Sequence, residues 1–507
     1  MKRIRINILT LFLLLAFASS AQSGKSTLNC AISFETDSIT KSALLDSLSR
    51  LYDIHFSYNP ELLQADEKVN VHANEKPLFS ILKEIINPEI IDFKALDNQV
   101  IFFPLKPEES AMVSNPFIVV KGTVVDERKE NPIPYCNIGI VGEAVGSMTN
   151  QDGQFVLKIS EKYKQDTLSF SSIGFEVQYH PINDFSGQPV SIELTRKTYQ
   201  LKPIDVVRYD PMVVLDKIDQ NISENYEHEY TLLTTFYREI IQENEEYTDV
   251  SEAVLQVLKA PYRKEIVDDH VKFLKGRKGA VSKPFSDIRF RLKGGPYYIT
   301  KLDLVKNNES FINPEFRHLY SYDFEKKTML DGRETVIITF NPIYNLRDIL
   351  FEGKIYVDVE TWAIARAEFN YTKQGLKEAR NTLIQKEPKH CKAIPTELEY
   401  SVQYKYINQK WYVQSARSSL IIKINNKDQK EKTKFHSIAE ILITNIEKGD
   451  FDRFTKQEIF RSNEIFTDKI VSYDKNFWQN YNVIQPEQEL VDALKNFDNQ
   501  NLVITNF

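Results

Sequence analysis

From residue 121 to residue 157 the chain reads K-G-T-V-V-D-E-R-K-E-N-P-I-P-Y-C-N-I-G-I and, after a short gap, G-S-M-T-N-Q-D-G-Q-F-V-L. Apolar and polar residues alternate with period two, and clusters of Gly, Pro, Asn and Asp cut the runs short. That pattern suits strands that bury one face and are joined by tight turns. It returns in longer, aromatic-rich runs at residues 231–242, 247–258, 335–340, 353–371, 411–424 and 434–446. A chain so patterned folds mainly as antiparallel sheet.

At 507 residues the chain exceeds one core of ordinary size, and two to four domains are expected. A hydrophobic share of 42% with 27% charged residues is globular. The net charge of −7 argues against a general nucleic-acid binder, which carries a basic face. The three cysteines, Cys30, Cys136 and Cys391, fall far apart, so neither a disulfide framework nor a zinc site is expected.

Lys2, Arg3 and Arg5 precede an apolar run at residues 8–17, and Ser19, Ser20 and Ala21 supply small residues. This reads as a signal peptide over residues 1–21 and an exported protein. The run is shorter than the ~20 residues of a spanning helix.

Residues 30–104 predict a small β-α-β-β-α-β-β module. Thr40 caps a helix with Leu44, Leu48 and Leu51 on one face; a second helix carries Leu78, Ile81, Leu82 and Ile85 at i, i+3, i+4, i+7. The segments S-A-L-L-D-S-L-S-R-L, F-S-Y-N-P-E-L-L and P-L-F-S-I-L-K-E-I-I resemble the secretin and TonB short N-terminal (STN) domain. The resemblance implies a periplasmic module that relays signals to anti-sigma proteins or joins secretins, by protein contact and without catalysis.

Residues 105–116, rich in Pro, Glu and Ser, predict a linker, and residues 117–196 a β-sandwich. Gly122 with Asp126, Pro132-x-Pro134-Tyr135, Gly146 with Thr149, Asp152-Gly153-x-Phe155 and the stretch to Phe175 resemble the carboxypeptidase regulatory-like, transthyretin-like domain. That family implies no hydrolysis. Asp126 and Asp152 are expected to form Asx turns rather than to bind calcium. In Bacteroidetes such a pair of domains precedes the plug and barrel of TonB-dependent receptors. Too little chain follows here for a barrel of roughly 22 strands.

Residues 205–229 predict a helix with Val213, Val214, Ile218 and Ile222 on one side. The strand runs beyond it, above all G-K-I-Y-V-D followed by T-W-A-I-A-R at residues 353–366, resemble the hairpins of periplasmic lipoprotein-carrier and half-barrel proteins. With Phe236-Tyr237-Arg238-Glu239 and Gly294-Gly295-Pro296, they resemble a Bacteroidetes envelope family. The expectation is a large antiparallel half-barrel-like domain over residues 205–475, then a helical tail over 476–507. A half-barrel implies room for a lipid on its concave face; the alternative is that Phe and Tyr simply fill a core.

Catalytic patterns are missing from the sequence. Gly24-Lys25-Ser26-Thr27 lacks the earlier glycine of a phosphate loop, and His72-Ala73-Asn74-Glu75 lacks a third ligand. The histidines are spread singly, and His390-Cys391 carries no nucleophile signature. Glu239 and Glu252 are candidates to face each other across paired strands, with solvated faces the plainer expectation. No catalytic, metal or cofactor residue is therefore assigned, and the ligand site is left open. The sequence predicts a non-enzymatic periplasmic or outer-membrane-associated protein that meets envelope proteins, anti-sigma or outer-membrane components among them, or a lipid. The alternatives are a TonB-linked receptor-like uptake or signalling component and a hydrolase hidden in the last domain.

Overall fold

The computed structural model describes residues 14–16, 27–58, 60–86, 91–96, 98–104, 117–197, 209–262, 267–280, 291–343, 350–387, 389–427, 432–470, 481–487 and 490–491. The fold is mainly β, with several sheets. Two compact units divide it, residues 20–116 and residues 1–19 with 117–507. The expected linker lies outside the described residues, as do most of the leader and of the tail. Within residues 1–21, expected to be a leader, Leu14–Ala16 forms a strand, antiparallel to Leu292–Lys293 and parallel to Ile384–Lys386. Among the described residues no helix is long and apolar enough to cross a membrane.

In the unit of residues 20–116, the Thr40 hydroxyl accepts from the Ala43 amide at 3.2 Å and starts the helix Lys41–Tyr52. Leu44, Leu45 and Leu48 are buried beneath it. Leu51 is 64% exposed instead of joining that face, because the core lies under the stretch from Lys41 to Leu48. The helix Leu78–Ile85 buries all four of its predicted positions. Strands Ala31–Thr40 and Lys68–Pro77 pair with each other, while His55–Ser57, Gln99–Pro104 and Ile91–Leu96 form a second sheet.

The sandwich has one sheet of Gln154–Ser160, Phe117–Asp126 and Val190–Leu194, and another of Gln178–Pro181, Thr167–Ser171, Asn137–Ile140 and Gly146–Met148. Val120, Val124, Ile138, Phe155, Leu157 and Phe170 are among the residues that fill it. Gly153 sits at φ +71° with the Val124 carbonyl oxygen 2.6 Å from where a Cβ would be, so that turn requires glycine. The Asx acceptor there is Asn150, whose side-chain oxygen takes the amides of Asp152 and Gln154 at 3.0 and 2.8 Å; Asp152 was the sequence expectation. Asp126 does form its Asx turn, with the Arg128 amide at 3.0 Å, and also pairs with Arg196 at 2.6 Å.

The large domain is one open ten-stranded antiparallel sheet. Its strands in chain order are β1 Thr231–Glu243, β2 Glu246–Lys259, β3 His270–Ala280, β4 Tyr320–Leu330, β5 Arg333–Pro342, β6 Phe351–Asp358, β7 Ile364–Tyr371, β8 Cys391–Ile407, β9 Lys410–Asn426 and β10 Lys432–Lys448. Across the sheet they run β3-β2-β1-β10-β9-β8-β7-β6-β5-β4. The register sorts the two faces residue by residue. Gly276, Ala253, Tyr237, Ile441, Ala416, Val402, Ala367, Ile355, Ile338 and Phe324 lie in one continuous cross-strand row. Most belong to the main core, closed over by Ile299, Leu304, Val305, Phe311, Leu376 and Leu383. The predicted helix at residues 205–229 is Pro211–Gln220 followed by Ile222–Asn225. It buries Val214, Leu215 and Ile218, and Val213 is 50% exposed, which leaves that residue off the face expected for it.

Candidate functional site

One residue along from the apolar row, on the opposite face, runs a second one. It reads Arg277, Glu252, Arg238, Glu440, Arg417, Ser401, Glu368, Lys354, Thr339, Asp323, each opposite the next on adjoining strands. Period-two strands put every such residue on one side, and opposite charges facing across a pair stabilise it. The first five alternate in sign. Arg238 is fully buried; its Nε donates to Glu252 at 2.8 Å, Nη1 to Glu440 at 3.1 Å and Nη2 to the Ile484 carbonyl at 2.5 Å. Arg277 Nε holds the other Glu252 oxygen at 2.7 Å. Burial opposes the Glu252 charge, but Arg238 and Arg277 outweigh it and hold that carboxyl below its ordinary range.

The segment that lies over this part of the row comes from the far end of the chain. The Asn482 side chain brackets Lys158 of the sandwich, accepting its amide at 2.7 Å and donating to its carbonyl at 3.1 Å. Ser147 and Asn150 donate to the carbonyls of Val483 and Pro486 at 3.2 and 3.1 Å. Val483 and Ile484 pack with Met148, Phe236 and Leu442. A second tie is the β4–β5 turn, where Asp331 accepts from Asn137 at 3.3 Å and from Ser171. The sandwich is thus fastened to the sheet at two separate places.

Next to the first tie the two layers stand apart and leave a groove of ≈ 750 Å³. Its floor runs from β6 to β10, with Lys354, Arg366, Glu368, Glu399, Ser401, Ser415, Arg417 and Glu440 among its residues; its wall is Pro134, Tyr135, Met148 and Gln151, and Lys354 is held by Glu325 at 2.6 Å. Arg366 is spoken for, by Glu368 at 2.7 Å and Gln403 at 2.8 Å. Arg417 stacks on the Tyr135 ring, 4.9 Å from its centroid. Tyr135 has φ +54°, a left-handed conformation that non-glycine residues seldom adopt and that clusters at functional sites. Its hydroxyl is buried with no hydrogen-bond partner among the described residues.

The two carboxylates singled out from the sequence do not meet. Glu252 is opposite Arg238, whereas Glu239 is opposite Ser251, which puts them on different faces. Both are buried rather than solvated: Glu252 by its arginines, Glu239 beside the Tyr237 hydroxyl at 2.6 Å and against Gly295, where a Cβ would lie 2.0 Å from its oxygen. The segments Phe236–Glu239 and Gly294–Pro296 therefore converge for packing. His72 is well exposed, 3.5 Å from Glu35, and no metal-holding group of side chains occurs among the described residues. A Ser419–His436–Gln242 chain does line up, at 2.8 and 3.1 Å. Ser419 sits mid-strand, in register with both neighbours, so the amides around it serve the ladder, and an oxyanion hole needs free ones. Tyr135 and Arg417 were missed as a site because the two lie far apart in sequence; the one local signal was a lone arginine among serines on β9.

The face that carries the apolar row is closed by packing. A cavity there, lined by Leu233, Val257, Asp303 and Ile441 among others, has ≈ 20 Å³. Burial pushes Glu239 and Glu309 up to about 8, and Glu309 Oε2 has no hydrogen-bond partner among the described residues. A carboxyl raised on folding stabilises the fold fully below its unfolded pKa, roughly 4.3, and loses that contribution as pH rises toward the folded value. Stability should therefore fall between about pH 4.3 and pH 8 on account of these two groups. Glu309→Gln is expected to be less sensitive to pH than the parent over that window in urea titrations. Parallel curves would show that Glu309 does not titrate with folding.

Residues 120–206 match the family model of the CarboxypepD_reg-like domain, which supports the sandwich resemblance. No curated protein matches the sequence. Among solved structures, a putative outer membrane lipoprotein-sorting protein domain from Vibrio parahaemolyticus is similar at 11% identity and TM-score 0.24, over 47% of this chain and 94% of that one. A LolA superfamily protein from Nitrosomonas europaea matches at 12% and 0.21, over 49% and 99%. The MucA/MucB complex of Pseudomonas aeruginosa gives 11% and 0.17, over 47% and 100%.

Proposed function

We propose that the chain is a non-enzymatic binding protein of the cell envelope, exported by its leader, that seats a ligand or a segment of an envelope protein in the groove between sandwich and sheet. The observation that carries this is the groove itself: ≈ 750 Å³, within the size range of ligand sites, and tied on two sides so that it needs no rearrangement to open. The STN-like module would supply a further protein contact on the periplasmic side. Native mass spectrometry of the full chain released gently from envelopes tests the reading. A bound species should accompany the parent chain and be lost from Ser415→Trp, which fills the groove floor; the same spectrum from both would refute it.

Lipid binding is the second reading, favoured by one feature: the apolar Leu14–Ala16 strand lodges between Leu292–Lys293 and Ile384–Lys386. A stoichiometric acyl species in an organic extract of the leaderless chain would support it, and an empty extract would remove it.

A further inference from the structure

The charged row on the sandwich-facing side of the sheet breaks at one place. Arg277, Glu252, Arg238 and Glu440 satisfy one another in sequence. The next residue across is Arg417, and the carboxylate on its near side, Glu440, is already held by Arg238. On its far side the register offers Ser401, a short hydroxyl where the alternation calls for an acid. Beyond that, Glu368 is taken by Arg366 and by the Tyr356 hydroxyl. Arg417 consequently makes no direct hydrogen bond or ion pair with any described residue; the Tyr135 ring lies 4.9 Å from its guanidinium carbon, and the buried Glu487 carboxyl is near enough to feel its charge.

A guanidinium offers five donors in a flat fork that fits an oxyanion bidentately. Stacking on an aromatic ring fixes its plane without using those donors. Here the Tyr135 ring lies against the guanidinium, the donors meet no described residue, and Arg417 lines the groove of ≈ 750 Å³. We infer that Arg417 is the recognition residue for an oxyanion, a carboxylate or a phosphate, which occupies the position beside Ser401 and completes the row. The inference rests on the groove being the binding site and adds the chemistry of what it takes. Ser401 and Ser415 supply hydroxyl donors on the same floor. Glu399 and Glu368, also on the floor, repel an anion placed elsewhere and so confine it to Arg417.

The test uses the full chain with inorganic phosphate and, separately, acetate as probes, following the Arg417 Nε–Hε resonance. A saturable shift is expected with at least one probe, and the probe that saturates first tells phosphate from carboxylate. Ser401→Glu, which places an acid of the chain's own where the anion would sit, should abolish it, and Arg417→Gln, which removes the fork, assigns the resonance by its disappearance. Both replace partly exposed groove residues, and a thermal midpoint within a few degrees of the parent's would confirm that each still folds. A resonance that neither anion moves, or one that moves as much in Ser401→Glu, overturns the inference. The groove reading fails separately: a bound species seen by native mass spectrometry in the parent and in Ser401→Glu alike would keep the groove and discard the oxyanion.

Discussion

Arg238→Met is expected to destabilise the unit containing the sandwich and the large sheet by about 3–5 kcal/mol, the usual cost of breaking a buried ion pair from one side. The methionine preserves most of the volume, so packing is not what is lost. Glu440 and the Ile484 carbonyl lose their donor, and Glu252 keeps only Arg277. Because Ile484 belongs to the segment that fastens the sandwich, the effect should extend beyond the sheet. Urea unfolding by tryptophan fluorescence reads the shift in midpoint. Replacing Glu252 and Glu440 by leucine in the same background should restore a large part of the loss, since a buried ionic group exchanged for well-packed apolar residues is often neutral. A single variant costing less than about 1 kcal/mol would mean that the row is wet in solution.

The second large effect belongs to the other face. Asp303 accepts from Lys259 at 2.5 Å, from Tyr262 at 2.5 Å and from Tyr404 at 3.0 Å, and it is 2% exposed. Asp303→Ala strands a buried ammonium with Asp269 alone and leaves two buried hydroxyls unpaired. About 3–5 kcal/mol is expected from the charge, with about 1–3 kcal/mol more for each donor that finds no water. The Leu304 amide, which donates to the Tyr404 hydroxyl at 3.0 Å, should lose hydrogen-exchange protection first. Protection unchanged at Leu304 would show that the tyrosine is held by its ring contacts with Tyr226 rather than by Asp303.

The architecture was legible wherever periodicity is local. The β9–β10 hairpin, the β6–β7 hairpin and the helix ending at Ile85 follow from runs whose apolar positions alternate or recur without interruption. Strands β3, β4 and β8 escaped notice for a shared reason. Residues such as Lys272, Lys275, Lys278, Glu325, Lys326 and Lys327 crowd the two edge strands with charge, as exposed sheet edges commonly are; β8 carries Pro395, which disguises a strand. The fate of the charged residues was the least legible. Arg238, Glu239 and Glu252 look like surface residues in isolation, and only cross-strand register shows that Arg238 and Glu252 compensate each other in the interior while Glu239 faces away from them. The groove depends on contacts between Tyr135 and Arg417 and between Asn482 and Lys158, separations that no window of sequence spans.

The proposed binding in the groove is tested most directly by finding where the chain touches a partner in the cell. A photoreactive amino acid at Gln151 on the groove wall can be compared in intact cells with one at Val213, which is exposed and does not line the groove. The account predicts a discrete adduct from residue 151, absent at residue 213 and lost when Arg417→Gln is added. No adduct at residue 151, or equal adducts at both positions, would contradict it.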